Sequence, residues 1–152
     1  MRVEPVPFHL PLPGRDTLGL DGARSVSYRI LGLLHLDGQI TTFEWSTTRH
    51  SERVSLTGVS VNDDETPLEL LDVPVAWIAD ATLAGGWWRP RLVLRGRRLD
   101  AFDGVPGAGL GTVSLRVRRR DRPLAEAMAA ALVGAARAWA LGDGDSAPPA
   151  LR

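Results

Sequence analysis

The chain has 152 residues, 44% hydrophobic and 24% charged, with 18 basic and 18 acidic side chains and a formal net charge of zero. Such values suit a single globular domain and argue against disordered, collagenous and membrane-spanning classes, because no apolar run is read as approaching the roughly 20 residues that cross a bilayer. Cysteine is absent, which excludes disulfides, thiol nucleophiles and Cys-held zinc, and leaves His9, His35 and His50 as the only ring ligands.

Residues 1–24 are rich in Pro and Gly without a sustained period and read as an irregular N-terminal arm. Prolines and Glu4 interrupt its apolar residues, so it lacks the continuous apolar segment of a secretory signal, and a cytoplasmic location is expected. Val26, Tyr28, Ile30, Gly32, Leu34 and Leu36 then alternate with Ser27, Arg29, Leu31, Leu33 and His35, the period of a strand. Asp37-Gly38 follows as a type I′ hairpin turn. With Leu36 facing Gln39, that turn sets Ile30 opposite Trp45, Gly32 opposite Phe43 and Leu34 opposite Thr41. Phe43 and Trp45 would then share the apolar face of the first strand, with Phe43 covering a bare glycine.

Arg53 to Val61 reads as a third strand whose apolar phase changes at Gly58, as a β-bulge would cause, and Asn62 to Glu65 reads as an acidic turn. Leu68–Val73 and Val75–Leu83 are apolar without clean alternation, so strand and short helix are not separated there. Leu92 and Leu94 point inward against outward Arg91, Val93 and Arg95. The stretch Val105 to Gly111 is a loop, and Val113, Leu115 and Val117 make the last strand. Asp121 is read as the N-cap of a helix with Pro123 in its first turn, along which Leu124, Met128, Leu132, Ala135 and Trp139 form an apolar stripe. Gly142 ends the helix, and 142–152 reads as a flexible tail.

These elements predict a mainly β fold with one C-terminal α-helix (α+β), occupying 25–141. Their order resembles the pleckstrin-homology (PH) superfold and its bacterial PH-like members. The segment Val75-Ala76-Trp77-Ile78-Ala79-Asp80-Ala81 followed by Arg91 to Leu94 is similar to the middle strands of such sequences. The resemblance implies a partly open antiparallel barrel of about seven strands, capped by the helix. Phosphoinositide-binding members place Lys and Arg around the first hairpin, whereas the turn read here is Leu36-Asp37-Gly38-Gln39, which disfavours a phosphorylated lipid head group. The helix tryptophan also differs in place, since Met128 and Leu132 hold the mid-helix positions. Lipocalin-like and other small barrels with a trailing helix stay open as alternatives.

No His pair stands at metal spacing, no Gly-x-Ser-x-Gly frames a nucleophile, and the glycines of 104–111 lead into a strand without Gly-Lys-Ser/Thr. No catalytic residue, metal site or cofactor is therefore expected. Charge is distributed unevenly. Residues 37–80 hold nine acids against Arg49 and Arg53, whereas residues 89–122 hold ten arginines against Asp100, Asp103 and Asp121. Every basic residue is Arg; a GC-rich coding bias accounts for Arg in place of Lys but not for where the charges fall.

The candidate binding residues are Trp87, Trp88, Arg89, Arg91, Arg95, Arg116 and Arg118. On a strand, Trp87 and Trp88 would point to opposite faces, one inward and one outward. The outward one either joins a binding edge with Arg89 and Arg91 or packs on an Arg stem or the N-terminal arm. Arg91, Arg95, Arg116 and Arg118 read as an outward basic row on the later strands, whose expected partner is a protein or a second copy of the chain, since an acidic surface complements it and the 37–80 half supplies one. The same acids would repel a nucleic-acid backbone. A barrel that receives a small carboxylate or phosphate is the alternative.

Overall fold

Alternation of period two produces longer strands than the sequence suggests. A computed structural model describes residues 3–20 and 22–142, with only the backbone at 11–13. Its strands are β1 (Val6–Gly19), β2 (Gly22–Asp37), β3 (Ile40–Ser55), β4 (Gly58–Glu65), β5 (Glu69–Pro74), β6 (Ile78–Ala84), β7 (Arg91–Gly96) and β8 (Thr112–Arg116), followed by helix α1 (Arg122–Gly142). The strands form one antiparallel sheet of eight in the order β4-β3-β2-β1-β8-β7-β6, with β5 beside the first half of β3. The α+β class is as expected, with eight strands instead of about seven, and the sheet does not close into a barrel.

The N-terminal arm is a correction. Val6–Gly19 pairs along its length with β2, with one irregularity between Leu12 and Arg15. Pro7 and Pro11 share a parity, so their missing N–H groups fall on one side of the strand. On its other flank β1 meets β8 at His9↔Arg116 alone, so a strand interrupted by prolines is tolerated there. The flexible tail read at 142–152 lies, beyond Gly142, outside the described residues.

The β2–β3 register is a second correction. Asp37 pairs with Ile40, and the turn is Gly38-Gln39 with φ +58° at Gly38 alone, a II′-like turn that moves every pair by two residues. Leu34 therefore faces Phe43, Gly32 faces Trp45, and Ile30 faces Thr47 rather than Trp45. An even shift preserves the faces, so Ile30, Leu34, Phe43 and Trp45 are still buried together. This hairpin is the second in the chain; the first joins Gly19 to Gly22 and is flanked by Arg15 and Arg24.

Gly58 begins β4 after the turn Leu56-Thr57, with Ser55 facing Gly58, so the apolar phase changes because the chain reverses and not because of a bulge. Asn62 to Glu65 are strand, not turn. His50 and Arg49 on β3 stand opposite Asp63 and Asp64, and the His50 ring contacts the Asp63 carboxyl, which makes an acidic strand tolerable. The stretches Leu68–Val73 and Val75–Leu83, where the sequence does not separate strand from short helix, are mostly the strands β5 and β6, joined by one 3-10 turn, Val75–Trp77.

The core is lined by the even positions of β1 and β2, the odd positions of β3, and Leu92, Leu94, Val113 and Leu115. Helix α1 begins just after Asp121, past a 3-10 turn at Arg119–Asp121, and packs on β6 and on Val75–Trp77. Its buried face is Ala125, Met128, Ala129, Leu132 and Ala136, rotated from the expected stripe so that Leu124, Ala135 and Trp139 sit at its margin. By length and composition alone, the helical stretch Arg119–Gly142 contains an 18-residue segment apolar enough to cross a bilayer, although Glu126 and Arg137 interrupt its apolar residues. Its buried face contributes to the domain core.

Candidate functional site

The tryptophan pair lies in a turn, not a strand. Gly85 and Gly86 take φ of +84° and +70°, and the chain turns through Trp87–Arg89 before β7 begins at Arg91. A Cβ at Gly85 would overlap the Arg89 carbonyl oxygen, so the turn requires glycine there. Both rings consequently emerge on the surface, Trp87 at 57% and Trp88 at 75% exposure, correcting the expectation of one inward ring. Two arginines hold them, Arg119 in the 3-10 turn before α1 and Arg122 at the first position of α1. The Arg119 guanidinium lies 4.3 Å from the Trp88 ring centre and 5.1 Å from that of Trp87. Arg122 stands 5.3 Å from Trp87 and donates from Nη1 to the Gly86 carbonyl at 2.9 Å.

Beside this turn is a cleft of about 500 Å³ lined by Trp88, Arg89, Arg91, Arg116, Arg118 and Arg119, with His9 on its far wall. Strand pairing brings the charges together. Arg91 sits directly across from Arg116, and Arg116 directly across from His9, so three basic side chains form one row over β7, β8 and β1. Like charges placed opposite one another cost stability. Among the described residues, none of the five arginines lies within ion-pair distance of a carboxylate; the ion pairs fall on Arg98, Arg120, Arg122 and two histidines outside the cleft. A guanidinium stays protonated and carries only donors, so this lining presents donors suited to an anion and offers no general base apart from His9.

Burial, and then the Arg116, Arg118 and Arg29 guanidiniums, push the His9 imidazole below its ordinary value of 6.5. The unfolded chain therefore takes up this proton before the folded one. The resulting contribution is complete above the ordinary value and is lost progressively as pH falls through it towards the folded value. Urea midpoints measured between about pH 7 and pH 5 are expected to fall, and His9→Gln to reduce that fall. An identical decline in the variant would mean that His9 is not held neutral by this surface.

Of the residues singled out from sequence, Trp88, Arg89, Arg91, Arg116 and Arg118 converge on the cleft. Trp87 supports the turn without lining the cleft, and Arg95, further along β7 opposite Thr112, stands apart. Sequence reasoning missed His9, hidden in the apparent arm, and Arg119, whose position in the run Arg118-Arg119-Arg120 was the available signal. No group of three or more metal-ligating side chains occurs among the described residues. Comparison of the chain with protein-family models, with curated proteins and with solved structures yields no match in any of the three.

Proposed function

We propose that this protein is a non-enzymatic, PH-like interaction module that docks an acidic segment of a protein partner in the cleft between Trp88 and His9. The observation that carries the reading is the convergence of five arginines with no carboxylate partner among the described residues, beside an exposed tryptophan. Such a surface is stabilised when a partner supplies the missing charge, and Trp and Arg are the side chains that most often anchor contacts. Element order supports the PH-like part. A meander of β1, β2, β3 and β5 joins a second meander of β6, β7 and β8 through β1 and β8, and the helix comes last. The acidic Leu36-Asp37-Gly38-Gln39 turn belongs to the second hairpin, so it bears less directly on phosphorylated lipids than the sequence suggested. The cleft volume also suits a small anion, which is the second reading.

Titration of an Asp/Glu octapeptide, followed by Trp fluorescence at low salt, tests the proposal, with citrate and pyrophosphate as small-anion probes. The double variant Arg91→Glu/Arg116→Glu is expected to weaken peptide binding by about 1.4 kcal/mol or more, a tenfold loss. Arg95→Glu should leave it nearly unchanged. Equal losses in both variants would reduce the effect to net charge. Binding of citrate or pyrophosphate without the peptide would favour the small-anion reading.

A further inference from the structure

We infer that the acidic partner is a second copy of this chain, docked face to face across the outer surface of the sheet. The inference rests on the reading that the cleft receives acidic groups, and names their source. The outer face is formed by the odd positions of β1 and β2, the even positions of β3, β5 and β8, and Arg91, Val93 and Arg95 of β7. The basic cleft occupies one end of it.

At the other end of the same face, Glu4, Asp37 and Glu44 line a depression of about 660 Å³ around His35 and Thr42, and the Thr42 hydroxyl donates to Asp72 at 2.6 Å. Among the described residues none of these carboxylates is paired with an arginine; Glu44 has only the His35 ring, 3.2 Å away. From Leu31, which faces His9, to His35 is four residues of β2, or about 13 Å. Basic and acidic ends are therefore close neighbours on one surface.

Between them stand Leu31, 43% exposed, and the half-buried Leu33, which faces Pro7 on one side and Glu44 on the other. An apolar centre with a charged margin is the arrangement of a protein interface. A two-fold axis through this centre would place each copy's arginine cleft on the other's acidic depression, satisfying both clusters twice with one geometry. The chain's zero net charge adds no overall repulsion between copies.

Light scattering and sedimentation of the full chain are expected to give twice the chain mass at low salt, falling towards the monomer as salt rises. Arg91→Glu/Arg116→Glu and Asp37→Arg/Glu44→Arg should each be monomeric alone, because each sets like charges together at both contacts. An equimolar mixture of the two should recover the dimer, since the reversed cleft meets the reversed depression while the native pair meets at the other contact. Circular dichroism verifies folding, and Arg118→Glu with Asp72→Arg provides a second pair for the same mixing test. A monomeric wild type that still binds the acidic octapeptide would overturn the dimer and leave the cleft reading intact. A monomer that binds no peptide would overturn both. Variants that remain dimeric alone, or a mixture that stays monomeric, would overturn the proposed face.

Discussion

Replacing Phe102 by Ala is expected to destabilise the protein by about 3–5 kcal/mol, a core-sized loss from a residue in a connecting loop. Phe102 lies between β7 and β8 and is 1% exposed. Its ring meets Phe43 of β3 edge to face, with centres 5.8 Å apart and planes at 71°. The β7–β8 connection thus inserts an aromatic side chain, with Ala101 and Val105, into the core shared with the first meander. Removing that ring leaves a cavity that Phe43 cannot fill from its strand. Since domains of this size are stable by only about 5–15 kcal/mol, the loss is a large share of the total and will be plain in urea unfolding. A double-mutant cycle with Phe43→Ala should show coupling of about 0.5–1.5 kcal/mol from the ring pair. A loss below about 1 kcal/mol would mean that the loop covers the surface without completing the core.

Gly32→Ala is the second large effect. Alanine at a strand glycine with ordinary φ should restrict the unfolded chain and stabilise by about 0.4–1 kcal/mol. Here the opposite sign is expected, a loss of about 2 kcal/mol or more, because overpacking dominates. Gly32 sits between Phe8 on β1 and Trp45 on β3. An added Cβ would overlap both the Phe8 ring and the Glu44 carbonyl oxygen. The ring could turn aside, but the backbone carbonyl cannot move without disturbing β3. Phe8→Leu should recover only part of the loss if the carbonyl dominates, whereas full recovery would assign the clash to the ring. A neutral Gly32→Ala would show that β1 and β3 yield at this point.

The arginine cleft and the tryptophan turn connect these packing features to binding. Arg119 and Arg122 lie at the entry to α1, and their contacts with Trp87, Trp88 and Gly86 tie the turn before β7 to the helix. Helix placement thus fixes one wall of the cleft, and β1–β8 pairing fixes the other through His9. Anything that loosens α1 from β6 should therefore weaken binding as well as stability.

What the sequence determined by itself is the set of strong local periods. Alternation from Val26 to Leu36, at Leu92 and Leu94, and at Val113 to Val117 gave strands with the correct inward faces, and the spacing of Met128 and Leu132 gave the helix. A face survives a two-residue shift of register, so Phe43 and Trp45 were placed in the core although their partners were not. Arg91, Arg95, Arg116 and Arg118 read as an outward basic row, and strand parity decides it for Arg91, Arg95 and Arg116, whereas Arg118 lies past the end of β8.

Tertiary structure decided what depends on partners distant in the chain. Pro-rich residues 6–19 are a strand only because β2 offers a full row of backbone groups on the flank that the prolines leave intact. Residues 62–65 are strand because β3 pairs with them, with His50 and Arg49 opposite Asp63 and Asp64, and the change of phase at Gly58 could not be told from a bulge until the reversal at Leu56-Thr57 was known. His9 joins the cleft through one pairing with Arg116, 107 positions later in the chain, and no local pattern encodes a contact of that range. Side-chain period reports which way a residue points; which residues it then meets follows from how the strands are ordered.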